Sequence, residues 1–303
     1  MDVGVIGVGV MGRNHARIYS ELKQVDSLFV TDLNTKAAAE VAIANGGEVC
    51  PTIDALLENV DAVSICVPTQ YHHDVAKTVL EAGIHALIEK PLCSSAVLAK
   101  DLLPRIPKDL TVGVGHIERF NPIIDEIRRM IKKPLYIETK RHNPASARVT
   151  GTSVVEDLMI HDIDVVFNLF NNEKYQVQSS GTVDVCGALF KINGTTVYMS
   201  ASRKSSKKIR SIYIEEEDCT IEGDYMNQEI AVYRKPGRYT LDNQRYVQEN
   251  IIEKVLVNKQ EPLKRELTTF LSCAEAKKPF PVTAEQAFFN LQVAEKITQN
   301  LTS

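Results

Sequence analysis

Residues 156–164, with the sequence EDLMIHDID, place four acids and one histidine among four apolar residues. The flanking sequences SVV and VVFNLF are apolar, which predicts a buried helix over about residues 153–170. Asp157 and His161 are four positions apart and therefore lie on one face of that helix. A neutral histidine beside a carboxylate is suited to accepting a proton from a hydroxyl group near pH 7.

The remaining acids of this segment leave alternatives open. Asp164, three positions after His161, either orients the imidazole or interacts elsewhere in the protein. Asp162 points to a different face of the helix, so we expect it to make structural contacts. Because unpaired charges are costly to bury, the alternative for the whole segment is a core histidine with satisfied hydrogen bonds and acids that cap the helix.

The first 120 residues alternate between apolar strand patterns and helical patterns. The predicted strands are 3–8, 27–32, 62–67, 85–90 and 110–115, and the predicted helices are 11–22, 35–46 and 71–83. Continuous apolar strands alternating with helices indicate a parallel sheet covered on both faces. We therefore predict an α/β fold with a doubly wound parallel sheet in an N-terminal domain of residues 1–119.

Beyond this domain the pattern changes to successive strands, six of which lie between residues 176 and 235. Strands that follow one another with little helix between them favour an open, mainly antiparallel sheet. We predict a C-terminal α+β domain of residues 120–303, whose final helix, about residues 283–300, packs back on the first domain.

A G-x-G-x-x-G motif follows the first predicted strand and opens the first predicted helix. In this context Gly7 permits a tight turn, Gly9 lets the main chain approach a pyrophosphate, and Gly12 lets helix and strand pack closely. The helix N-terminus, with Val10 and Met11, offers free N–H groups and a positive dipole end to the phosphates. The motif predicts a Rossmann domain that binds a dinucleotide.

Asp32 lies 20 residues after Gly12, at the end of the second predicted strand. An acid at this position fits the ribose 2′-hydroxyl of NAD and would repel the 2′-phosphate of NADP. NAD is therefore the predicted cofactor, although Lys36 nearby weakens the preference.

Two further strand ends contribute to the predicted cofactor edge. Pro68 follows Val67 and breaks the third strand, where ligands bind in doubly wound sheets, and His72 begins the next helix. Glu89 and Lys90 end the following strand, and a lysine there can stabilise a developing alkoxide with its charge. The alternative for Glu89 and Lys90 is an ordinary surface ion pair.

The composition excludes several classes of protein. The net charge is −4, which argues against a dedicated nucleic-acid binder, and no apolar run approaches the length of a membrane span. The start MDVGVIGVG lacks the features of a signal peptide, so we expect a cytoplasmic protein. The six cysteines lack C-x-x-C spacing and are expected to be reduced thiols, and no metal site is predicted.

The motifs GVGVMGRNHA, VPTQYHH, AGIHALIEKPL, GHIERFNP and EDLMIHDID occur in this order, and the chain resembles the Gfo/Idh/MocA oxidoreductases over nearly its whole length. The resemblance assigns Lys90 to the family's E-K-P motif, and Asp157 and His161 to its D-x-x-x-H motif. Pro68 and His72 match the family's P-x-x-x-H cofactor edge. In finer detail the chain is similar to the branch of UDP-N-acetylglucosamine 3-dehydrogenases.

The resemblance implies oxidation of a sugar secondary hydroxyl by NAD, with the 3-hydroxyl of UDP-N-acetylglucosamine as the sharpest prediction. His161 would take the hydroxyl proton, Lys90 would stabilise the alkoxide, and Asp157 would bind a neighbouring hydroxyl or orient the histidine. The alternatives are a dehydrogenase of a free sugar or inositol in the same family and a non-catalytic NAD-binding regulator. The family also implies a homodimer or homotetramer formed through the sheet of the C-terminal domain.

A nucleotide-sugar substrate would bring two more negative charges to the site. Besides the catalytic residues, the predicted substrate-binding residues are Arg119, Asn121 and Arg141, with His142 and Arg148 as further candidates. The basic run SRKSSKKIR at residues 202–210 is interpreted instead as a solvated hairpin end.

Overall fold

The computed structural model describes residues 1–144, 152–170, 174–235, 240–242, 245–247 and 251–301. Its chain divides into two compact units. The first unit comprises Met1–Phe120 and Glu261–Gln292, and the second comprises the described parts of Asn121–Gln260 and Val293–Ser303.

The helices and strands are numbered in chain order. The strands are β1 Asp2–Ile6, β2 Ser27–Thr31, β3 Glu48–Val49, β4 Ala62–Ile65, β5 His85–Glu89, β6 Val112–Gly115, β7 Tyr136–Pro144, β8 Tyr175–Gly181, β9 Val185–Ile192, β10 Thr195–Ser202, β11 Lys204–Glu215, β12 Cys219–Asp224, β13 Glu229–Arg234, β14 Thr240–Asp242, β15 Arg245–Val247 and β16 Ile252–Val255. The α-helices are α1 Val10–Glu21, α2 Thr35–Asn45, α3 Ile53–Leu57, α4 His72–Glu81, α5 Ala96–Leu102, α6 Pro122–Met130, α7 Ile160–Leu169, α8 Pro262–Glu275 and α9 Ala284–Thr298.

The first unit contains the predicted doubly wound sheet. Its six strands are all parallel and follow the order β3-β2-β1-β4-β5-β6. Every residue of β4 is buried, as expected for a central strand that has helices on both faces. The strand order reverses between β1 and β4, and ligands of such sheets bind beyond the carboxyl ends of the strands at this reversal.

The second unit contains the predicted, mainly antiparallel sheet. Its eight strands follow the order β16-β13-β12-β11-β7-β10-β9-β8, and of the paired strands only β7 and β10 run parallel. Side chains alternate along β7, so that Ile137, Thr139 and Arg141 are buried on one face. Glu138 and Lys140 lie on the other face and are half-buried.

The helix that carries Asp157 and His161 begins with a capping box. The Ser153 hydroxyl accepts a hydrogen bond from Glu156 N–H (3.3 Å), and a Glu156 carboxylate oxygen accepts from Ser153 N–H (3.0 Å). The sequence predicts a regular helix here, but Val155–Met159 forms a π-helical turn that leads into α7. Because a π-turn is wider than an α-turn, four residues complete slightly less than one turn, and Asp157 and His161 still share a face.

A buried ion pair joins this helix to the sheet. The Arg141 guanidinium on β7 donates to both carboxylate oxygens of Asp162 on α7, at 3.0 and 2.8 Å. Both side chains are at most 2% exposed, and the guanidinium also lies over the Tyr225 ring, 5.3 Å from its centroid. As predicted, Asp162 makes structural contacts, and these contacts fix the rotation of α7 on the sheet.

Asp162→Asn should lower the free energy of unfolding of the second unit by about 3 kcal/mol, because it leaves the Arg141 charge buried without its counter-ion. The exposed pair of Arg234 and Glu253 has the same two-pronged geometry, at 2.9 and 2.7 Å, so Glu253→Gln is a matched control that should change little. Urea unfolding monitored by circular dichroism measures both variants. Equal losses would show that burial of the Arg141–Asp162 pair is unimportant.

Candidate active site

The loop after β1 has the conformation that its glycines permit. Gly7 has a φ of +90°, and a Cβ there would lie 2.8 Å from the Val67 nitrogen. A Cβ on Gly12 would lie 1.9 Å from the Gly7 carbonyl oxygen, so only glycine lets α1 approach the loop this closely. The loop therefore lies directly against the end of β4.

The N-terminus of α1 fits a phosphate group. Gly9 is the N-cap residue, and no side chain of the described residues caps the helix there. A Cβ on Gly9 would meet no atom within 4 Å, and Val10 is 60% exposed, so there is open space beside the start of α1. No acid lies in the first turn, and the helix dipole favours an anion at this end.

Asp32 is held at the end of β2 by two main-chain N–H groups. Val8 N–H donates to Oδ2 and Asn34 N–H donates to Oδ1, both at 2.7 Å. Each carboxylate oxygen keeps a lone pair that can accept from a ribose hydroxyl. This carboxylate would repel a 2′-phosphate. Lys36, the residue that weakens the predicted preference for NAD, is exposed on the first turn of α2.

His72 connects the loops that follow β4 and β5. Its Nδ1 lies 2.8 Å from the Pro91 carbonyl oxygen and its Nε2 lies 2.9 Å from the Val67 carbonyl oxygen. Burial lowers the pKa of His72, so the ring is neutral at pH 7 and donates to one carbonyl at a time. The predicted cofactor edge at Val67, Pro68 and His72 is thus fastened to the loop of Lys90.

Glu89 ends β5, and Lys90, which follows it, lies in a different environment. Glu89 is buried, with Oε1 3.0 Å from His15 Nε2 and Oε2 accepting from Lys90 N–H (3.2 Å). Burial alone would raise the pKa of Glu89, but the hydrogen bond to His15 and the nearby Lys90 ammonium act in the other direction, and the pKa of Glu89 is lowered. The Lys90 side chain is half-buried, and the Lys90–Pro91 peptide bond is cis. An ordinary surface ion pair is therefore wrong for Glu89, whose side chain points inward.

The polar residues of the segment 156–164, in the second unit, differ in how far their side chains are buried. Asp162 and Asp164 are 1% exposed, whereas Asp157 and His161 are half-buried on the shared face. Glu156 takes part in the capping box. Asp157 and His161 are thus the two members of the segment that combine partial exposure with one helix face and are not used by the cap.

Among the other predicted substrate-binding residues, Asn121, Arg141 and His142 lie within hydrogen-bond distance of polar groups of the protein. Asn121 caps α6 by accepting from Ile123 N–H (3.4 Å) and donates to the Tyr225 carbonyl oxygen (3.0 Å). Arg141 binds Asp162, and Arg119 is 8% exposed in a 3₁₀ turn. His142 lies on the opposite face of β7 from Arg141, 3.0 Å from the Ser200 hydroxyl, and Arg148 lies outside the described residues.

Two buried residues, one in each unit, were not identified from the sequence. His15 lies three positions after Gly12, and only its place within the glycine-rich motif signals it. Arg203 belongs to the run interpreted as a solvated hairpin end, and that interpretation is wrong for it. Arg203 is 8% exposed and donates to the carbonyl oxygens of Thr152 and Val183, beside the start of the capped helix.

The described residues contain no group of three or more His, Cys, Asp or Glu side chains placed to hold a metal ion. All six cysteines are free. In the same parts of the chain, every helix is too short or too polar to cross a membrane.

Known proteins resemble this chain in sequence and in fold. The model of an oxidoreductase family with an NAD-binding Rossmann fold, Gfo/Idh/MocA, matches residues 1–116. UDP-N-acetylglucosamine 3-dehydrogenase of Acidithiobacillus ferrooxidans is 34% identical over 288 residues, which are 92% of this chain and 90% of that protein. Inositol 2-dehydrogenase of Corynebacterium glutamicum strain R is 30% identical over 180 residues, 55% of this chain and 53% of that protein.

A solved structure of the UDP-N-acetylglucosamine 3-dehydrogenase from Acidithiobacillus ferrooxidans superposes with a TM-score of 0.90 at 32% identity. The superposition covers 99% of this chain and 97% of that chain. The predicted glycine loop, parallel sheet and second, mainly antiparallel sheet are all present. With this similarity along its length, the chain belongs to the Gfo/Idh/MocA family of oxidoreductases.

Proposed function

We propose that this protein uses NAD to oxidise a secondary hydroxyl of a sugar to a ketone, and that the group is the 3-hydroxyl of UDP-N-acetylglucosamine. The observation that carries the proposal is 34% identity, over 92% of the chain, to an enzyme of that name. Lys90, Asp157 and His161 are also present at the positions of the family's motifs.

The proposed cofactor site lies at the strand ends of the first unit. The open N-terminus of α1 would receive the pyrophosphate, and Asp32 would accept from the ribose hydroxyls, which favours NAD over NADP. When bound, the cofactor supplies an acceptor for the hydride that leaves the substrate carbon. The proposed cofactor-binding residues are Gly7, Gly9, Val10, Met11, Gly12, Asp32, Val67, Pro68, His72 and Lys90. Glu89, which the sequence analysis placed at the same edge, points inward to His15.

The proposed chemistry on the substrate uses Lys90, Asp157 and His161. His161 takes the proton of the hydroxyl that is oxidised, and the Lys90 ammonium stabilises the developing alkoxide. Asp157 binds a neighbouring hydroxyl or orients the imidazole. Because Asn121 and Arg141 already hold protein groups, we propose that they shape the site through α6 and α7.

A free polyol is the second candidate substrate. Inositol 2-dehydrogenase is 30% identical to the chain, but over 55% of it rather than 92%. A non-catalytic NAD-binding regulator would have no need of Lys90, Asp157 and His161 together, so their presence argues against that function.

Oxidation of UDP-N-acetylglucosamine should be seen as absorbance of the reduced nicotinamide when the protein is mixed with NAD and this sugar, with an amine-transfer system that removes the ketone. UDP-glucose, N-acetylglucosamine and inositol complete the panel. Lys90→Ala and His161→Asn should each lower kcat about 100-fold or more. Lys77→Ala, on the exposed side of α4, is the control and should leave kcat unchanged. Turnover of inositol alone would contradict the nucleotide-sugar proposal.

NADH should bind at least about tenfold more tightly than NADPH, because the Asp32 carboxylate faces the position of the 2′ group. Asp32→Ser should remove most of this preference, since it deletes the charge and keeps a polar group. The chain has no tryptophan, so the fluorescence of the reduced nicotinamide itself reports binding. An unchanged preference in Asp32→Ser would assign the discrimination to another residue.

We further propose that copies of the chain associate through the open face of the second sheet, as a homodimer or homotetramer. On this face the Tyr136 and Tyr213 rings meet edge to face, 6.4 Å apart, beside a groove of about 570 Å³ lined by β7, β11, β12, β13 and β16. Tyr213→Arg should then yield monomers in light scattering. A monomeric wild-type protein would exclude the association.

A further inference from the structure

A buried histidine and a buried glutamate connect helix α1, the proposed phosphate-binding helix, to the strand that ends directly before Lys90. His15 lies in α1 and is 0% exposed, and Glu89 is the last residue of β5 and is 7% exposed. His15 Nε2 lies 3.0 Å from Glu89 Oε1. Among the described residues, the other ring nitrogen, Nδ1, has no hydrogen-bond partner. Glu89 is therefore the polar group that orients the imidazole.

The second oxygen of Glu89 acts on Lys90 itself. Oε2 accepts a hydrogen bond from Lys90 N–H (3.2 Å), so one carboxylate holds both α1 and the main chain of the lysine. The Tyr19 ring also helps to hold the His15 ring in place, because the two rings meet edge to face with their centroids 6.3 Å apart. The Tyr19 hydroxyl is in turn 2.7 Å from the Ser64 hydroxyl on β4.

The charges around this pair leave Glu89 as an anion beside the lysine. Burial opposes the charge of Glu89, but His15 and Lys90 favour it strongly enough to lower the pKa of the carboxyl. Burial raises the pKa of the Cys66 thiol and of the Tyr19 hydroxyl, so both are neutral near pH 7. The titratable groups that act on this cluster from the neighbouring elements are His15, Tyr19, Cys66, His72, Lys90 and Glu266.

We propose that Glu89, held by His15, is a positioning residue for Lys90: it fixes the main chain of the lysine and keeps its ammonium group charged. This inference rests on the proposed function, in which Lys90 stabilises an alkoxide. On this proposal Glu89 supports the lysine and does not contact the cofactor. Its carboxylate also links α1, the proposed pyrophosphate-binding helix, to Lys90.

Steady-state kinetics with UDP-N-acetylglucosamine test the positioning role. Glu89→Gln keeps the size of the side chain and removes its charge, so kcat should fall about tenfold or more while the Kd of NADH changes less than about twofold. The alkaline limb of the kcat profile should move to lower pH by about one unit, because the ammonium loses a nearby anion. Weaker NADH binding with an unchanged pH profile would instead make Glu89 a cofactor contact and overturn the proposal.

Two variants of His15 separate positioning from packing. The amide nitrogen of glutamine can occupy the place of Nε2, whereas that of asparagine is one methylene too short to reach Glu89. His15→Gln should therefore keep kcat within about twofold of wild type, and His15→Asn should lose about tenfold. Equal losses in the two variants would show that the histidine serves only to fill space.

A measurement without turnover keeps this proposal independent of the substrate. The intact protein is treated with a limiting amount of an amine-reactive reagent over a range of pH, and mass spectrometry quantifies the modification of Lys90, with Lys77 as the internal reference. The Lys90 labelling midpoint should fall by about one pH unit in Glu89→Gln, and that of Lys77 should not move. An unchanged Lys90 midpoint would overturn the proposal even if the sugar is oxidised, and a shifted midpoint without turnover would leave only the substrate assignment in error.

Discussion

The chemistry proposed for this protein depends on charges that are buried and therefore have to be paired. Glu89 in the first unit and Asp162 in the second are both almost inaccessible to water, and each accepts hydrogen bonds from a basic side chain that lies far away in the sequence. A charge left alone in either place would cost several kcal/mol. One pair therefore ties α1 to β5, which ends directly before Lys90, and the other ties β7 to α7, which carries His161.

Much of the first unit could be predicted because its signals are local. Apolar strands, the glycine motif and Asp32 lie within a few dozen residues of one another, and each has a physical reason that needs no distant partner. The order of the strands within the sheet has no such local signal, because it is set by which strands pair in the fold. Reasoning from local signals also identified Lys90 by its place at a strand end, although the inward direction of Glu89 could not be seen.

The sequence could not predict which polar side chains pair with each other, because the fold brings distant positions together. Arg141 and Asp162 are 21 positions apart, and His15 and Glu89 are 74 apart. From the sequence alone Arg141 was as suitable for a phosphate as for a carboxylate. The capping box of Ser153 and Glu156 is different, since its S-x-x-E spacing is a local signal that was available. The π-helical turn beside it has no such signal.

The main chain at Lys90 is held by the protein from two directions. This explains the two histidines close to it, His15 and His72, which are not themselves proposed to act on the substrate. Glu89 holds the main-chain N–H of the lysine from beneath, and His72 lies within hydrogen-bond distance of the carbonyl of Pro91, the next residue. Both contacts are made to the main chain, at Lys90 N–H and at the Pro91 carbonyl oxygen. Fixing the main chain on both sides limits the motion of a long, flexible side chain before substrate arrives, which is the kind of preorganisation that makes a fixed charge effective in catalysis.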